Sequence, residues 1–219
     1  MEERYFILDK FNTWYDWNLI LTSKKITPPK VKTKYVKIDG MDGTLDLTEA
    51  LTGGVTYENR TISASFWSDE GKREDREKTI REIVNSLHGR KIMIIEPDDP
   101  THYFIGRAEI KGWVNNLSYM EIEIDFTCEP YRYAIKETVR KVDVASQNVT
   151  DVILHNGGAK TLTPTITVAG SVLIRFNSED VVLNTGTYKI SNIKLSPGDS
   201  IIGVSGTGSA TITYRECDL

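Results

Sequence analysis

The stretch LSYMEIEIDFTC, Leu117 to Cys128, decides how the chain is read. Met120, Ile122, Ile124, Phe126 and Cys128 fall on one side of an extended chain. Tyr119, Glu121, Glu123, Asp125 and Thr127 fall on the other. A side-chain period of two held this long predicts a strand with one buried and one wet face. Asn115-Asn116 just before it is a hairpin turn signal, which pairs it with a strand over Arg107–Val114. Further back lie His102–Ile105, with Gly106 read as a bulge or bend, and a short buried-type strand at Lys91–Glu96. The first part of the chain is therefore expected to be an antiparallel β domain.

One segment breaks the two-residue period. Within Asp69–His88, Ile80, Ile83, Val84 and Leu87 recur at helical spacing, and the predicted helix covers about 72–88. Its start, Lys72–Lys78, is almost wholly charged and reads as solvated. Gly89 stands where a helix-ending glycine belongs, and a cationic His88 would suit the helix C-terminus. A lone amphipathic helix should lie on a sheet or across a barrel end.

Before the helix come short strands at Tyr5–Leu8 and Leu19–Leu21, with Trp14, Tyr15 and Trp17 between them as one end of a core. Pro28-Pro29 interrupts regular structure. Val31–Ile38 alternates apolar residues with lysines, the pattern of an edge or solvent-facing strand. Asp39–Gly54 is rich in Asp, Gly and Thr and reads as an elaborated turn that feeds a strand over Val55–Phe66. Its acids Asp39, Asp42, Asp46 and Glu49 invite a calcium loop, but Met41 occupies a required ligand position. The segment reads instead as a solvated, glycine-rich hairpin connection.

Glu129–Tyr133 breaks the alternation and marks a domain boundary, giving domains over 1–133 and 134–219. After it, short strands recur at Glu137–Val144, Val152–Asn156, Thr165–Val168, Val172–Phe176, Asp180–Leu183, Thr187–Ile190, Ser200–Val204 and Ala210–Tyr214. Turns are expected at Asn156–Gly158, Ala169-Gly170, Thr185-Gly186, Pro197-Gly198 and Gly206–Gly208. Even spacing of short strands and turns predicts an antiparallel β-sandwich.

With 39% hydrophobic and 26% charged residues, the 219-residue chain can bury a core, and global disorder is excluded. A net charge of −4 argues against general nucleic-acid binding. Cys128 is expected to be a small buried residue and Cys217 an exposed thiol; they form no zinc or redox spacing. The start Met1-Glu2-Glu3-Arg4 has no secretory pattern, and no apolar run is long enough for a membrane span. Such a chain is made in the cytoplasm and leaves a cell only as part of something larger.

No catalytic, cofactor-binding or metal-ligating residue is assigned. His88, His102 and His155 lack metal spacing, and nucleophile-elbow and nucleotide-binding glycine patterns are missing. Asp98 and Asp99 are neighbours on a proline-bounded turn and should point apart into solvent.

An ordered set of motifs remains. Asp39-Gly40, Gly43 and Asp46 come first, then Tyr57-Glu58-Asn59-Arg60 and the helix end Leu87-His88-Gly89. Asp98-Asp99-Pro100, Tyr103–Arg107 and Phe126-Thr127-Cys128-Glu129-Pro130-Tyr131 follow, with Ala210–Glu216 near the end. In this order the set resembles the distal tail protein (Dit) family of long, non-contractile phage tails. The resemblance implies a mainly β fold: an N-terminal barrel-like or sandwich-like domain with one helix and a hairpin, then a galectin-like sandwich. It also implies a structural virion protein at the tail tip, whose N-terminal domains close a ring of six. That ring would join the tail tube protein to the tail-associated lysin or fibre and, in some members, to receptor-binding proteins. The alternative is a module for cell-wall carbohydrate, with Trp14 and Trp17 as a stacking platform. Against it, His155-Asn156-Gly157-Gly158 lacks the galectin sugar-site pattern, and the second domain has no Trp.

Overall fold

The computed structural model describes residues 4–50 and 52–219. Met1–Glu3, where the leader reading begins, and Leu51 in the turn-rich stretch lie outside the described residues. The chain is mainly β with one helix, as the alternation demanded. It divides into two compact units, one running to Arg132 and including Leu219, the other spanning Tyr133–Asp218.

The first unit contains β1 (Ile7–Leu8), β2 (Phe11–Asn12), β3 (Ile20–Ile26), β4 (Tyr35–Val36), β5 (Leu45–Asp46) and β6 (Arg60–Ser68). After these come α1 (Arg73–Leu87), β7 (Lys91–Ile95), β8 (His102–Asn115) and β9 (Met120–Cys128). Seven strands form an antiparallel sheet in the order β2-β1-β7-β8-β9-β6-β3. The deciding strand is β9. Every one of its alternating apolar residues is buried, and its acidic face is turned outward. Ile62, Ala64 and Phe66 of β6 line the same core. Phe6 packs edge-on against Phe66 at 5.9 Å and lies 6.4 Å from Phe126.

Helix α1 lays Ile80, Ile83 and Leu87 onto this core, all essentially inaccessible. Each contributes on the order of 1.5–3 kcal/mol of apolar transfer. Glu74 and Asp75 in the first turn complement the helix dipole. Gly89, at φ 74°, ends the helix, and its N–H donates to Ala108 O of β8 at 2.8 Å.

Several expectations about this unit need correction. The helix runs over Arg73–Leu87, close to the expected bounds, but its charged start is not wholly solvated. Arg76 is buried, donating to Gly71 O at 2.6 Å and to Asn116 O and Leu117 O at 3.0 and 3.1 Å. This arginine ties the helix start to the β8–β9 turn, where three backbone carbonyls converge on one guanidinium. His88 turns its ring toward β8, where its Nδ1 accepts from Ile110 N–H at 3.1 Å. Gly106 is not a bulge either. Strand β8 runs straight through it, and the register shift lies between Ile110 and Gly112. Finally, β6 begins at Arg60 rather than Val55, and β3 extends well past Leu21 to Ile26.

The second unit is built from β11 (Thr138–Asn156), β12 (Thr165–Phe176), β13 (Glu179–Lys189) and β14 (Gly198–Tyr214), antiparallel in the order β11-β14-β12-β13. Two short strands, β10 (Arg132–Ala134) and β15 (Cys217–Asp218), pair nearby. The eight expected strands are therefore four long ones, each bent in the middle. Three expected turns are bends inside strands: Gly170 pairs with Gly208, Ser146 with Gly206, and Val168 with Gly186. The bends line up across the sheet and fold it over. Residues from both halves of each strand, such as Val168 with Ile174 and Val204 with Ile212, share one core. The result is a β-sandwich made by creasing a single sheet. The β12–β13 hairpin turns on Asn177 and Ser178, both at positive φ as a two-residue turn requires.

Candidate functional site

The lysine-flanked and turn-rich stretches come together as an arm. Between Thr27 and Asn59 no described residue is buried. The arm leaves β3, returns into β6, and is held by backbone bonds at its base and middle. Glu58 N–H donates to Lys30 O at 2.8 Å, Lys32 N–H to Thr56 O at 2.8 Å and Leu47 N–H to Lys34 O at 2.8 Å. Tyr35 pairs with Asp46 and Val36 with Leu45. Val31, Tyr35, Ile38, Met41, Leu45 and Val55 are all exposed on it. Lone exposed apolar residues are ordinary, but this many on a coreless projection mark a surface made to be covered. The expected strand over Val31–Ile38 shrinks to Tyr35–Val36 paired with β5, with Val31 making only an isolated bridge to Tyr57.

The arm's acids hold no ion-binding geometry. Asp46 Oδ1 accepts from Thr48 N–H at 2.9 Å, and the hydrogen bonds from Thr48 hold its carboxyl below the usual range. Among the described residues, no group of three or more His, Cys, Asp or Glu side chains could hold a metal ion.

At the arm's base is a cleft of about 350 Å³. Pro28, Pro29 and Tyr57 of the arm form one side; Phe104, Arg60 and Arg132 form another. Arg60 is 5% exposed, lies over the Phe104 ring at 5.4 Å, and its Nε has no hydrogen-bond partner. Burial, with Arg132 nearby, pulls its guanidinium below its ordinary pKa. Arg132 donates to Asp99 Oδ2 at 3.1 Å, but its buried Nε is also unpartnered. Two residues of the lining carry carboxylates, Glu96, which is committed to the Lys24 ammonium, and Leu219, the last residue of the chain. The cleft therefore combines two guanidinium groups, apolar walls and carboxylates from its own chain.

The residues singled out in the sequence have other duties. Asp98 and Asp99 do diverge, Asp98 to Lys24 at 2.7 Å and Asp99 to Thr101, His102 and Arg132. Asp99 is not simply solvent-facing, because these partners enclose it. His155 Nδ1 lies 2.6 Å from Asp199 Oδ1 on an exposed face. Asn156 is buried and locks a turn, donating to Lys160 O and Leu195 O and accepting from Gly158 N–H. Trp17 is buried and stacks on Phe11 at 4.8 Å, so it offers no face to a sugar ring. Cys217 is buried rather than exposed. Its backbone runs so close to Gly158 that a Cβ there would lie 2.5 Å from Cys217 O. Burial raises the thiol pKa of both Cys217 and Cys128, the latter to about 12.

Arg60 is the residue that sequence reasoning passed over. It was placed only as the end of a motif, and an arginine beside Asn and Thr looks like surface. The available signal was its parity: Arg60, Ile62, Ala64 and Phe66 share one face of β6.

These features define a fold: a seven-stranded antiparallel sheet with one helix and a projecting hairpin arm, followed by a creased-sheet sandwich. Among solved structures the chain is similar to SPP1 Dit (gp 19.1), with a TM-score of 0.71 and 17% identity, over 99% of this chain and 99% of that one. That protein is described as a paradigm of the hub adsorption apparatus in phages that infect Gram-positive hosts. The likeness is one of fold along the whole chain, as the ordered motifs implied. No family model and no curated protein matches the chain by sequence.

Proposed function

We propose that the chain is a structural protein of a phage tail tip, a distal tail protein whose first unit builds a closed ring of six copies. The ring joins the tail tube to the lysin or fibre, and the sandwich serves as a docking module for further tip proteins. The observation that carries this reading is the full-length likeness to the hub protein of SPP1. The arm supports it independently, since its exposed apolar residues need a partner. A closed ring is a head-to-tail contact repeated by rotation, and it requires two different surfaces on each copy. The arm and the cleft at its base are two such surfaces.

In this role the protein performs no chemistry, carries no cofactor and binds no specific nucleic-acid sequence. His88 and His102 are engaged in internal bonds, and the outward residues of β9 are mainly acidic. Its place is the virion, after synthesis in the host cytoplasm. No helix among the described residues is long and apolar enough to cross a membrane.

Gold-labelled antibody against the chain tests the placement on intact virions. Label confined to the tail end distal to the capsid is the expected result. Label on the capsid or along the tube, or none on virions that contain the chain by mass spectrometry of opened particles, would refute it.

A further inference from the structure

We infer that the outbound leg of one copy's arm lies along the outward face of β9 on the next copy, with Lys30, Lys32 and Lys34 above Asp125, Glu123 and Glu121. The inference rests on the ring reading above and names the contact that would close it.

The first surface is the outward face of β9. Glu121, Glu123 and Asp125 alternate along the strand and share that face. Alternate side chains on a strand stand about 7 Å apart. That is inside the screening length of about 8 Å at physiological salt, so the row repels itself. Its immediate neighbours do not offset it. Glu123 stands between Ser65 of β6 and Gly112 of β8, and Asp125 between Ser63 and Glu109. Serine and glycine leave room beside the acids for another chain to lie. Toward the β8–β9 turn the face becomes apolar. There Glu121 is flanked by Val114 and Trp67, with Ile20 beyond Trp67. Val114 is 50% exposed and Ile20 39%.

The second surface is the outbound leg of the arm. Lys30 O accepts from Glu58 N–H, Lys32 N–H donates to Thr56 O, and Lys34 O accepts from Leu47 N–H. All three lysines turn backbone groups toward the returning leg, so their side chains share one face. All three are exposed. Val36 continues this face toward the tip, with Leu45 directly across from it and 39% exposed. Along β9 the order is apolar, Glu121, Glu123, Asp125. Along the arm it is apolar, Lys34, Lys32, Lys30. Both repeat every second residue of extended chain, so one register satisfies the charge pairs and the apolar contact together.

The partner is a second copy. Among the described residues, none of these charges forms an ion pair within its own copy. Residues 30–36 and 119–125 are of equal length, each about 20 Å of strand, so the contact uses only the legs of the hairpin as it is paired. Extended faces stack about 10 Å apart, a gap that a lysine and a glutamate side chain span between them. Each copy gives an arm and receives one on a different surface, so the contact is head-to-tail and repeats until the ring closes.

The full-length chain tests this by mass photometry and analytical ultracentrifugation. Glu121→Lys/Glu123→Lys and Lys32→Glu/Lys34→Glu change only exposed residues. Each double variant should melt like the parent yet lose the ring, with the neighbour contact weakened about 30-fold or more. Mixed in equal amounts, the two should regain rings in which they alternate, because every arm again meets a row of opposite charge. All four changes in one chain should regain the ring as well. If either double variant forms rings as tightly as the parent, the rows are not partners, although the ring reading stands. If both lose the ring and neither the mixture nor the fourfold variant regains it, the pairing is wrong. If the parent itself forms no ring at any concentration, both readings fall.

Discussion

Gly106 of β8 lies directly across from Cys128 of β9, and a Cβ placed on Gly106 would lie 2.5 Å from the Cys128 sulfur. The same Cβ would also lie 3.2 Å from Ile94 Cδ1. The pair explains why this position cannot carry a larger residue inside a central strand. Gly106→Ala should cost about 1–3 kcal/mol in urea unfolding, the usual result of overpacking a filled core. Cys128→Ala in the same background should recover part of that loss, giving a coupling a double-mutant cycle can measure. Equal effects with and without the sulfur would show that the crowding is not between these two residues.

The crease of the sandwich makes a second prediction. Gly208 sits at φ 138°, and a Cβ there would lie 2.0 Å from Ala169 O, a backbone atom that cannot turn aside. Gly198 also has positive φ, 93°, but nothing lies within 4 Å of its would-be Cβ. Gly198→Ala should cost only the conformational penalty, about 1–2 kcal/mol. Gly208→Ala should cost about 3 kcal/mol or more and could abolish folding of the second unit. Similar melting temperatures for the two variants would contradict the crease.

The cysteines give a chemical test. Both thiols are buried, with pKa values raised by burial. The native chain at pH 8 should leave both unreacted with a thiol reagent over minutes, and denaturant should release both. Fast labelling of Cys217 in the native chain would mean that β15 is not seated as described.

Acid should loosen the first unit through Asp99. Burial pushes its carboxyl up, but hydrogen bonds from Thr101 and His102 outweigh this and leave it below its ordinary 3.8. A lowered folded pKa favours the native state above 3.8, and that contribution disappears as pH falls through the folded value. Asp98 acts in the same direction, held down by Lys24, but more weakly because it is half exposed. Asp99→Asn should therefore flatten the stability profile below pH 4 and lower the plateau at neutral pH. An unchanged acid slope in Asp99→Asn would remove Asp99 from the account.

How much of this was legible in the sequence depends on which neighbours a residue answers to. Strand β9 and the apolar face of α1 are periodic within themselves, so their burial was visible before any partner was known. The crease glycines were misread as chain reversals. A glycine that bends a strand and one that ends it share the same local chemistry, and only the alignment of Gly170 with Gly208 across strands separates them. Arg76 and Arg60 were hidden for a related reason. A buried arginine needs carbonyls or carboxylates from distant segments, and sequence spacing does not show Asn116 and Leu117 converging on Arg76. The arm was half visible: its turn residues and lysines were plain, but the absence of any core beneath it was not.

The claim that this chain builds a ring is tested most directly by native mass spectrometry of the purified full-length protein across a concentration series, read alongside negative-stain images. The account predicts a closed hexamer, or a stack of two, with an open centre and no ladder of intermediate sizes at saturation. A chain that stays monomeric at the highest concentration, or grows into open filaments of indefinite length, would contradict it.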